Sequence, residues 1–198
     1  MSSMDFKNST ALSDLRLVVL FEQALWGWNV GNITVRVRHT RSTDFSGTIF
    51  YADKRIFVNL GHHLTFPYRM ETNLGRAKAV GRVWRRPPVL VEIRDAYQLA
   101  LFIFLHELYH LLVKRAGRNT RQKESMCDRF AAKYLVDNFR VSILDKKGSR
   151  VPRSEWDFQD LEGFVAKARD QRQVRAAVRR SAKRPKPMQG AQGYLFEV

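Results

Sequence analysis

Residues 95–117 read DAYQLALFIFLHELYHLLVKRAG and predict a long, mostly apolar helix. The run from Leu99 to Leu105 is apolar throughout and contains no glycine or proline, which favours a helix over a strand at this length. Asp95 is a residue type that caps helix N-termini, and Gly117 is a typical C-terminal stop. We therefore expect the helix to extend from about Ala96 to Arg115.

Three polar residues interrupt this apolar helix. His106 and His110 are four positions apart and lie one turn apart on the same helical face. Two neutral imidazoles at this spacing can bind one tetrahedral Zn²⁺ with bonds of roughly 2.0–2.1 Å. Glu107 follows the first histidine, where its carboxylate can accept a proton from a zinc-activated water without binding the metal. Burying these groups is unfavourable unless each has a partner, so the pattern predicts one zinc ion rather than two core histidines.

A zinc ion in such a site needs a third protein ligand, and the next predicted helix, from about Thr120 to Asn138, offers Glu124, Cys127 and Asp128. Glu124 and Asp128 are one turn apart on one helical face. We expect Glu124 to bind zinc and Asp128 to accept a hydrogen bond from a ligand histidine. A cysteine such as Cys127 is more often a small buried residue. The weaker alternatives precede the helix, since no histidine follows it; they are His39, His62 and His63.

The remaining segments predict a mixed fold. A helix is expected over residues 11–26, and strands are expected at 33–39, 45–51, 55–59 and 89–93. The second and third of these strands should form a hairpin. Residues 61–87 predict a long arginine-rich loop, 140–157 a hairpin or irregular segment, and 158–182 a third long helix. This order predicts an α+β fold in which a small antiparallel or mixed sheet packs on the two metal-site helices.

Composition bears on the compartment and on the partners. The chain of 198 residues has a single cysteine, which agrees with a reducing compartment. Its N-terminus lacks the layout of a signal peptide, and no apolar run reaches the roughly 18–20 residues of a membrane helix. We therefore expect a cytoplasmic protein with no membrane association. Lysine and arginine number 35 against 19 acidic residues, a formal charge of +16, which predicts attraction to polyanions and to nucleic acid first.

Three segments together resemble the ImmA/IrrE-type zincin metallopeptidases. They are the run from Phe45 to Asn59, FLHELYHLLV at 104–113, and Glu124 followed by CDRFAA at 127–132 and Tyr134-Leu135. The resemblance covers roughly residues 10–138. It implies a zincin-like domain in which His106, His110 and Glu124 bind zinc and Glu107 is the catalytic base.

The sequence departs from the ImmA/IrrE-type pattern at one position, and one other family has a similar layout. Tyr109 stands where the ImmA/IrrE-type family usually has glycine. SprT-like proteases are similar in general layout, but their third ligand is a histidine, and none follows His110 in this chain.

The chain divides by composition into a zincin-like domain at 1–139, a basic helical extension at 140–184 and a flexible tail at 185–198. Residues 163–186 contain nine lysines and arginines and one acid. A basic helix of this kind can contact nucleic-acid phosphates without reading sequence. The candidate nucleic-acid contacts are Arg169, Arg172, Arg175, Arg179 and Arg180. The tail resembles the Gln-x-x-Leu-Phe peptides that dock on the bacterial sliding clamp, through Gln192, Leu195 and Phe196.

These observations lead to one expected function and one alternative. We expect a zinc endopeptidase that cleaves a cytosolic protein, either a repressor-like protein or one associated with DNA. The alternative is a nucleic-acid-binding or clamp-docking protein on the same scaffold without proteolysis; Glu107 favours the enzyme, because a scaffold needs no base. A sheet edge, at Ile56–Asn59, could bind substrate as an added strand. The candidates for stabilising the oxyanion are Tyr109, His62, His63 and Tyr134.

Overall fold

The computed structural model describes residues 3–121 and 123–166, and they form a mixed α+β fold. The helices are α1 (Asp14–Leu25), α2 (Ala96–Arg115), α3 (Glu124–Phe139) and α4 (Arg153–Trp156), and residues 161–166 are also helical. The strands are β1 (Met4–Asn8), β2 (Ile33–Thr40), β3 (Phe45–Phe50), β4 (Arg55–Gly61), β5 (Tyr68–Thr72), β6 (Lys78–Val80), β7 (Val83–Arg85), β8 (Val89–Ile93) and β9 (Ile143–Leu144).

The largest sheet has four strands in the order β1-β2-β4-β3. β1, β2 and β4 are parallel, and β3 returns antiparallel to β4 through the predicted hairpin. The expectation that Ile56–Asn59 forms a free edge is wrong, because these residues lie in β4 and pair on both sides. The free edge next to β4 is β3. β1 was not predicted, since its five residues carry little apolar signal of their own.

The segment at 61–87, expected as one long loop, contains three strands. β5 pairs antiparallel with β8, which also pairs with β9 to complete a second sheet. β6 and β7 form a separate two-stranded ribbon. Glycine and proline residues between these short strands interrupt the alternation that would have revealed them.

Helix α2 is the centre of the hydrophobic core. Every side chain from Leu99 to Leu105 is buried, and the helix packs against α1, α3, β3, β4 and β8. Phe104 stacks on Phe21 of α1 with ring centroids 4.4 Å apart. Asp95 caps the helix as predicted, accepting a hydrogen bond from the Gln98 amide at 2.8 Å. By length and hydropathy α2 could cross a membrane, but 83% of its most apolar window is buried in the fold, as in core helices generally.

The described residues beyond 140 share this core. β9 extends the second sheet, and Trp156, Leu161 and Val165 belong to the same buried cluster as α2. Helix α3 begins at Glu124 rather than at Thr120, so Glu124 occupies the first turn. This later start places Glu124 at the end of α3 that faces the middle of α2.

Candidate metal centre

His106 and His110 lie side by side on α2, as the helical spacing predicts. Their ring centroids are 5.0 Å apart, and their side chains are only 16% and 10% exposed. The histidines lie where α2 meets α3, in a stretch of the helix that is otherwise mostly apolar and buried. An apolar helix of this kind keeps two imidazoles inside only if their nitrogens find partners.

Glu124 reaches both imidazoles from α3. Its Oε2 lies 3.1 Å from His106 Nε2, and its Oε1 lies 3.3 Å from His110 Nε2. One carboxylate therefore faces the Nε2 atoms of two histidines 14 and 18 positions away in sequence. Hydrogen bonding to His106 is the main reason why the pKa of Glu124 is lowered. The three residues converge on one point, which is the geometry a tetrahedral metal requires of three protein ligands.

Asp128 contacts the imidazole nitrogen of His106 that does not face Glu124. Its Oδ1 lies 2.9 Å from His106 Nδ1, and its Oδ2 accepts a hydrogen bond of 2.8 Å from the backbone amide of Asn73. Asp128 is buried, so its orientation is set by these two contacts. Without a metal, a protonated His106 can donate from Nδ1 to Asp128 and from Nε2 to Glu124. If the proton stays on Nδ1 beside Asp128, Nε2 is the nitrogen left free to bind an ion.

The electrostatics of the site favour an added positive charge. Burial lowers the pKa of His106, but hydrogen bonds to the Asp128 and Glu124 carboxylates outweigh it and raise that pKa to about 9. Burial and the neighbouring His106 lower the pKa of His110. His110 Nδ1 is buried without a hydrogen-bond partner among the described residues, so its polar contact is through Nε2 alone. A cation between the two rings would satisfy the carboxylates without a second proton.

Cys127 is a further donor beside the histidines. Ligand atoms of His106, His110 and Cys127 all lie within 4.8 Å of one another, which is a spacing at which one metal ion could be held. Cys127 is fully buried, and burial raises the pKa of its thiol. Because the Glu124 carboxylate already contacts both Nε2 atoms, Glu124 is the better-placed third donor. Cys127 remains the alternative.

Glu107 packs against Gly47 of β3. A Cβ atom at Gly47 of β3 would overlap Glu107 Oε1 and lie 2.8 Å from Glu107 Cγ, so only glycine leaves room for this carboxylate. Burial raises the pKa of Glu107 to about 7. A buried carboxyl with this pKa can both accept and release a proton near neutral pH.

Gly47 was missed as a site residue from sequence, although a signal was present. Glycine within a strand often marks a place where another group approaches the backbone closely. Tyr51, directly after the same strand, was also missed. Burial chiefly raises its pKa, and the charges of Glu107, Cys127 and Glu124 add to that effect, so its hydroxyl lies within the field of the site.

A cleft of about 250 Å³ opens over this group of residues. It is lined by Phe45 and Gly47 of β3, by Met70, Glu71 and Thr72 of β5, and by Phe102, Ile103, His106, Glu107, Glu124 and Asp128. The free strand β3 therefore forms one wall. A larger groove of about 540 Å³ between Arg94, Arg140 and Trp156 shares no residue with this cleft.

The four candidates for stabilising the oxyanion lie in different surroundings. Tyr109 is fully buried and donates a hydrogen bond of 3.0 Å to the Leu161 carbonyl, so it cannot reach a substrate and the expectation is wrong. His62 stacks on His39 with centroids 3.7 Å apart, and His63 pairs with Asp44 at 2.8 Å. None of these histidines lines the cleft, nor does Tyr134.

The candidate nucleic-acid residues Arg169, Arg172, Arg175, Arg179 and Arg180 lie outside the described residues, as do the docking residues Gln192, Leu195 and Phe196. Comparisons of the chain with protein-family models, with curated proteins and with solved structures found no match.

Proposed function

We propose that this protein is a zinc-dependent endopeptidase whose domain is a zincin of the ImmA/IrrE type. The observation that carries the proposal is the convergence of the Glu124 carboxylate on the Nε2 atoms of His106 and His110, at 3.1 and 3.3 Å. Glu107 lines the same cleft as His106 and Glu124 and has a pKa of about 7. Two imidazoles, one carboxylate ligand and a free carboxyl base form the donor set of hydrolytic zinc sites.

His106, His110 and Glu124 would hold the ion, with Cys127 as the alternative third donor. Zinc bound there would polarise the scissile carbonyl and lower the pKa of a water in the cleft toward about 7. A donor set with two imidazole nitrogens fits zinc better than magnesium or calcium, because those ions prefer oxygen ligands alone.

Glu107 would move the proton in this reaction. Its carboxylate accepts the proton from the attacking water and then delivers it to the amine that leaves. A base with a pKa near the working pH performs both transfers well. Asp128 acts through His106: it holds the imidazole by Nδ1, which keeps Nε2 directed into the site.

The free edge of β3 would bind the substrate. A segment of protein in extended conformation can add antiparallel to this edge, because the outer N–H and C=O groups of the strand are unpaired within the described sheet. The strand lines the cleft through Phe45 and Gly47. Gly47 at its centre packs on Glu107, so a peptide on this edge passes close to the catalytic base.

The test compares wild-type protein with the Glu107→Gln variant. Each is loaded with zinc, checked for one equivalent by metal analysis, and incubated with a peptide library prepared from a digested proteome. Cleavage sites are then read by mass spectrometry. We expect wild-type cleavage and a loss of roughly 10²- to 10⁴-fold in the variant, which keeps its zinc but lacks the base. A wild-type protein that cleaves no more of the library than Glu107→Gln refutes the proposal.

A further inference from the structure

The ribbon formed by β6 and β7 stands out as a separate basic and aromatic element. Its strands pair antiparallel, with Lys78 opposite Arg85 and Ala79 opposite Trp84. They are joined by Gly81-Arg82, where Gly81 has φ +62 and so adopts a left-handed turn conformation. We refer to residues 75–87 as the basic arm.

The charge of the basic arm has one sign only. Its five cationic residues are Arg76, Lys78, Arg82, Arg85 and Arg86, and it contains no acidic residue. Within the described part of the chain, the ion pairs include only one from the arm, between Lys78 and Glu155 at 3.2 Å. Like charges directly opposite each other, as at Lys78 and Arg85, destabilise a strand pair. The charges of this surface therefore attract anions and do not stabilise the ribbon.

The tip of the arm also exposes apolar surface. Trp84 is 73% exposed and Val83 is 55% exposed. The indole makes no ring contact with any other side chain in residues 3–121 and 123–166. An isolated two-stranded ribbon is only marginally stable in water, and a Trp side chain packed inward would help it. Its outward position leaves a flat aromatic face open on an arm that carries four arginines.

The root of the arm is held firmly beside the candidate metal centre. A Cβ atom at Gly75 would lie 2.7 Å from the Pro87 carbonyl oxygen, so the two ends of the arm touch. The Arg76 guanidinium lies 4.4 Å from the centre of the Phe158 ring. The buried Arg129 of α3 donates a hydrogen bond of 2.9 Å to the carbonyl of Leu74, the residue just before the arm. The arm is thus presented from a fixed base next to α3.

We propose that the basic arm binds single-stranded nucleic acid, with an unpaired base stacked on Trp84 and the adjoining phosphates on Arg82 and Arg86, which lie two positions to either side of Trp84 and so fall on its face of the ribbon. Stacking platforms set in a cationic surface are the usual way in which proteins hold single strands without reading sequence. The inference goes beyond the peptidase activity, and it concerns a different segment from the basic residues at 163–186.

The exposed indole decides between single strand and duplex. Bases in a duplex are already stacked on each other, so only an unpaired base can place its face on Trp84. An acidic peptide would be attracted by the same guanidinium groups, but it would gain little from the indole. Trp84 therefore distinguishes nucleic acid from other polyanions.

The test measures binding of the full chain to a fluorescein-labelled oligothymidylate of about 20 nucleotides by fluorescence anisotropy. We expect Trp84→Ala to weaken binding at least about fivefold, the lower end of what one stacked base contributes. The double variant Arg82→Gln/Arg86→Gln should lower the slope of log K against log salt by about 1.4, since each phosphate contact on a single strand accounts for about 0.7.

Matched controls separate the arm from the general charge of the chain. Trp26→Ala removes another exposed tryptophan, 88% exposed at the end of α1, and Lys146→Gln/Lys147→Gln removes two exposed cations outside the arm. Both should bind the oligonucleotide as wild type does. The proposal is overturned if Trp84→Ala binds like Trp26→Ala or if the two charge variants have equal salt slopes. Equal binding of a duplex of the same length, or equal competition by polyglutamate, would also overturn it.

Discussion

The carboxyl group of Glu107 occupies the space that a Cβ atom on Gly47 would fill. The two residues are 60 positions apart, on α2 and on the edge strand β3, and both line the cleft. A hydrolytic role for Glu107 therefore depends on the absence of a side chain on the neighbouring strand.

Replacing Gly47 with alanine should reduce peptide hydrolysis while leaving zinc bound. The added methyl group would lie under 3 Å from three Glu107 atoms, so the Glu107 carboxyl must move. We expect kcat/KM to fall at least about tenfold, a smaller loss than removal of the base itself. Thr48→Ala on the same strand is the control. If Gly47→Ala and Thr48→Ala hydrolyse peptides at equal rates, the close packing has no catalytic role.

Asp128→Asn should weaken zinc binding. The carboxamide oxygen can still accept a hydrogen bond from His106. Its NH₂ group would then face the backbone N–H of Asn73, which is also a donor. Loss of such an orienting carboxylate typically reduces metal affinity about 10- to 100-fold. Competition with a fluorescent zinc chelator measures this change. Asp137→Asn, an exposed carboxylate on the same helix, should leave affinity unchanged, and equal losses in the two variants would contradict the role of Asp128.

The third ligand can be identified by two substitutions on α3. Glu124→Gln should abolish stoichiometric zinc binding, because it removes the charge that faces both Nε2 atoms. Cys127→Ala should keep a full equivalent of zinc, although it leaves a small hole in the core. Metal analysis after gel filtration separates the cases. The opposite result would assign the thiolate of Cys127 as the ligand.

Chelation of zinc should lower the melting temperature. A ligand that binds only the folded state at 100 times its Kd stabilises it by about 2.7 kcal/mol. For a chain of this size the corresponding shift is roughly 5–10 °C. Calorimetry with and without a chelator measures it. His110→Ala should show no response to zinc; if its melting temperature responds as wild type does, zinc binds elsewhere.

Tyr109→Phe should affect stability and not catalysis. The hydroxyl donates to the Leu161 carbonyl in the core, and its loss leaves that buried acceptor unpaired. We expect a destabilisation of about 1–2 kcal/mol in urea unfolding and an unchanged kcat. A fall in kcat with unchanged stability would instead show that Tyr109 acts in catalysis.

Part of this fold could be read from local pattern. The extent of α2, its cap at Asp95, and the hairpin of β3 and β4 agree with the sequence-based expectations. Such features depend on residues within a few positions of each other, where helical and strand periodicity are direct consequences of backbone geometry. The three strands within 61–87 and the parallel strand β1 were missed, because short strands acquire their stability from distant partners.

The amino-acid sequence by itself determined that His106 and His110 share one face of an apolar helix, since a spacing of four residues is one helical turn wherever the helix lies. Only the tertiary structure decided what meets them there. Glu124, Asp128 and Gly47 reach the same place from a second helix and an edge strand. Their convergence depends on how α2, α3 and β3 pack. That packing is set by burial of apolar surface across the whole core rather than by any local motif.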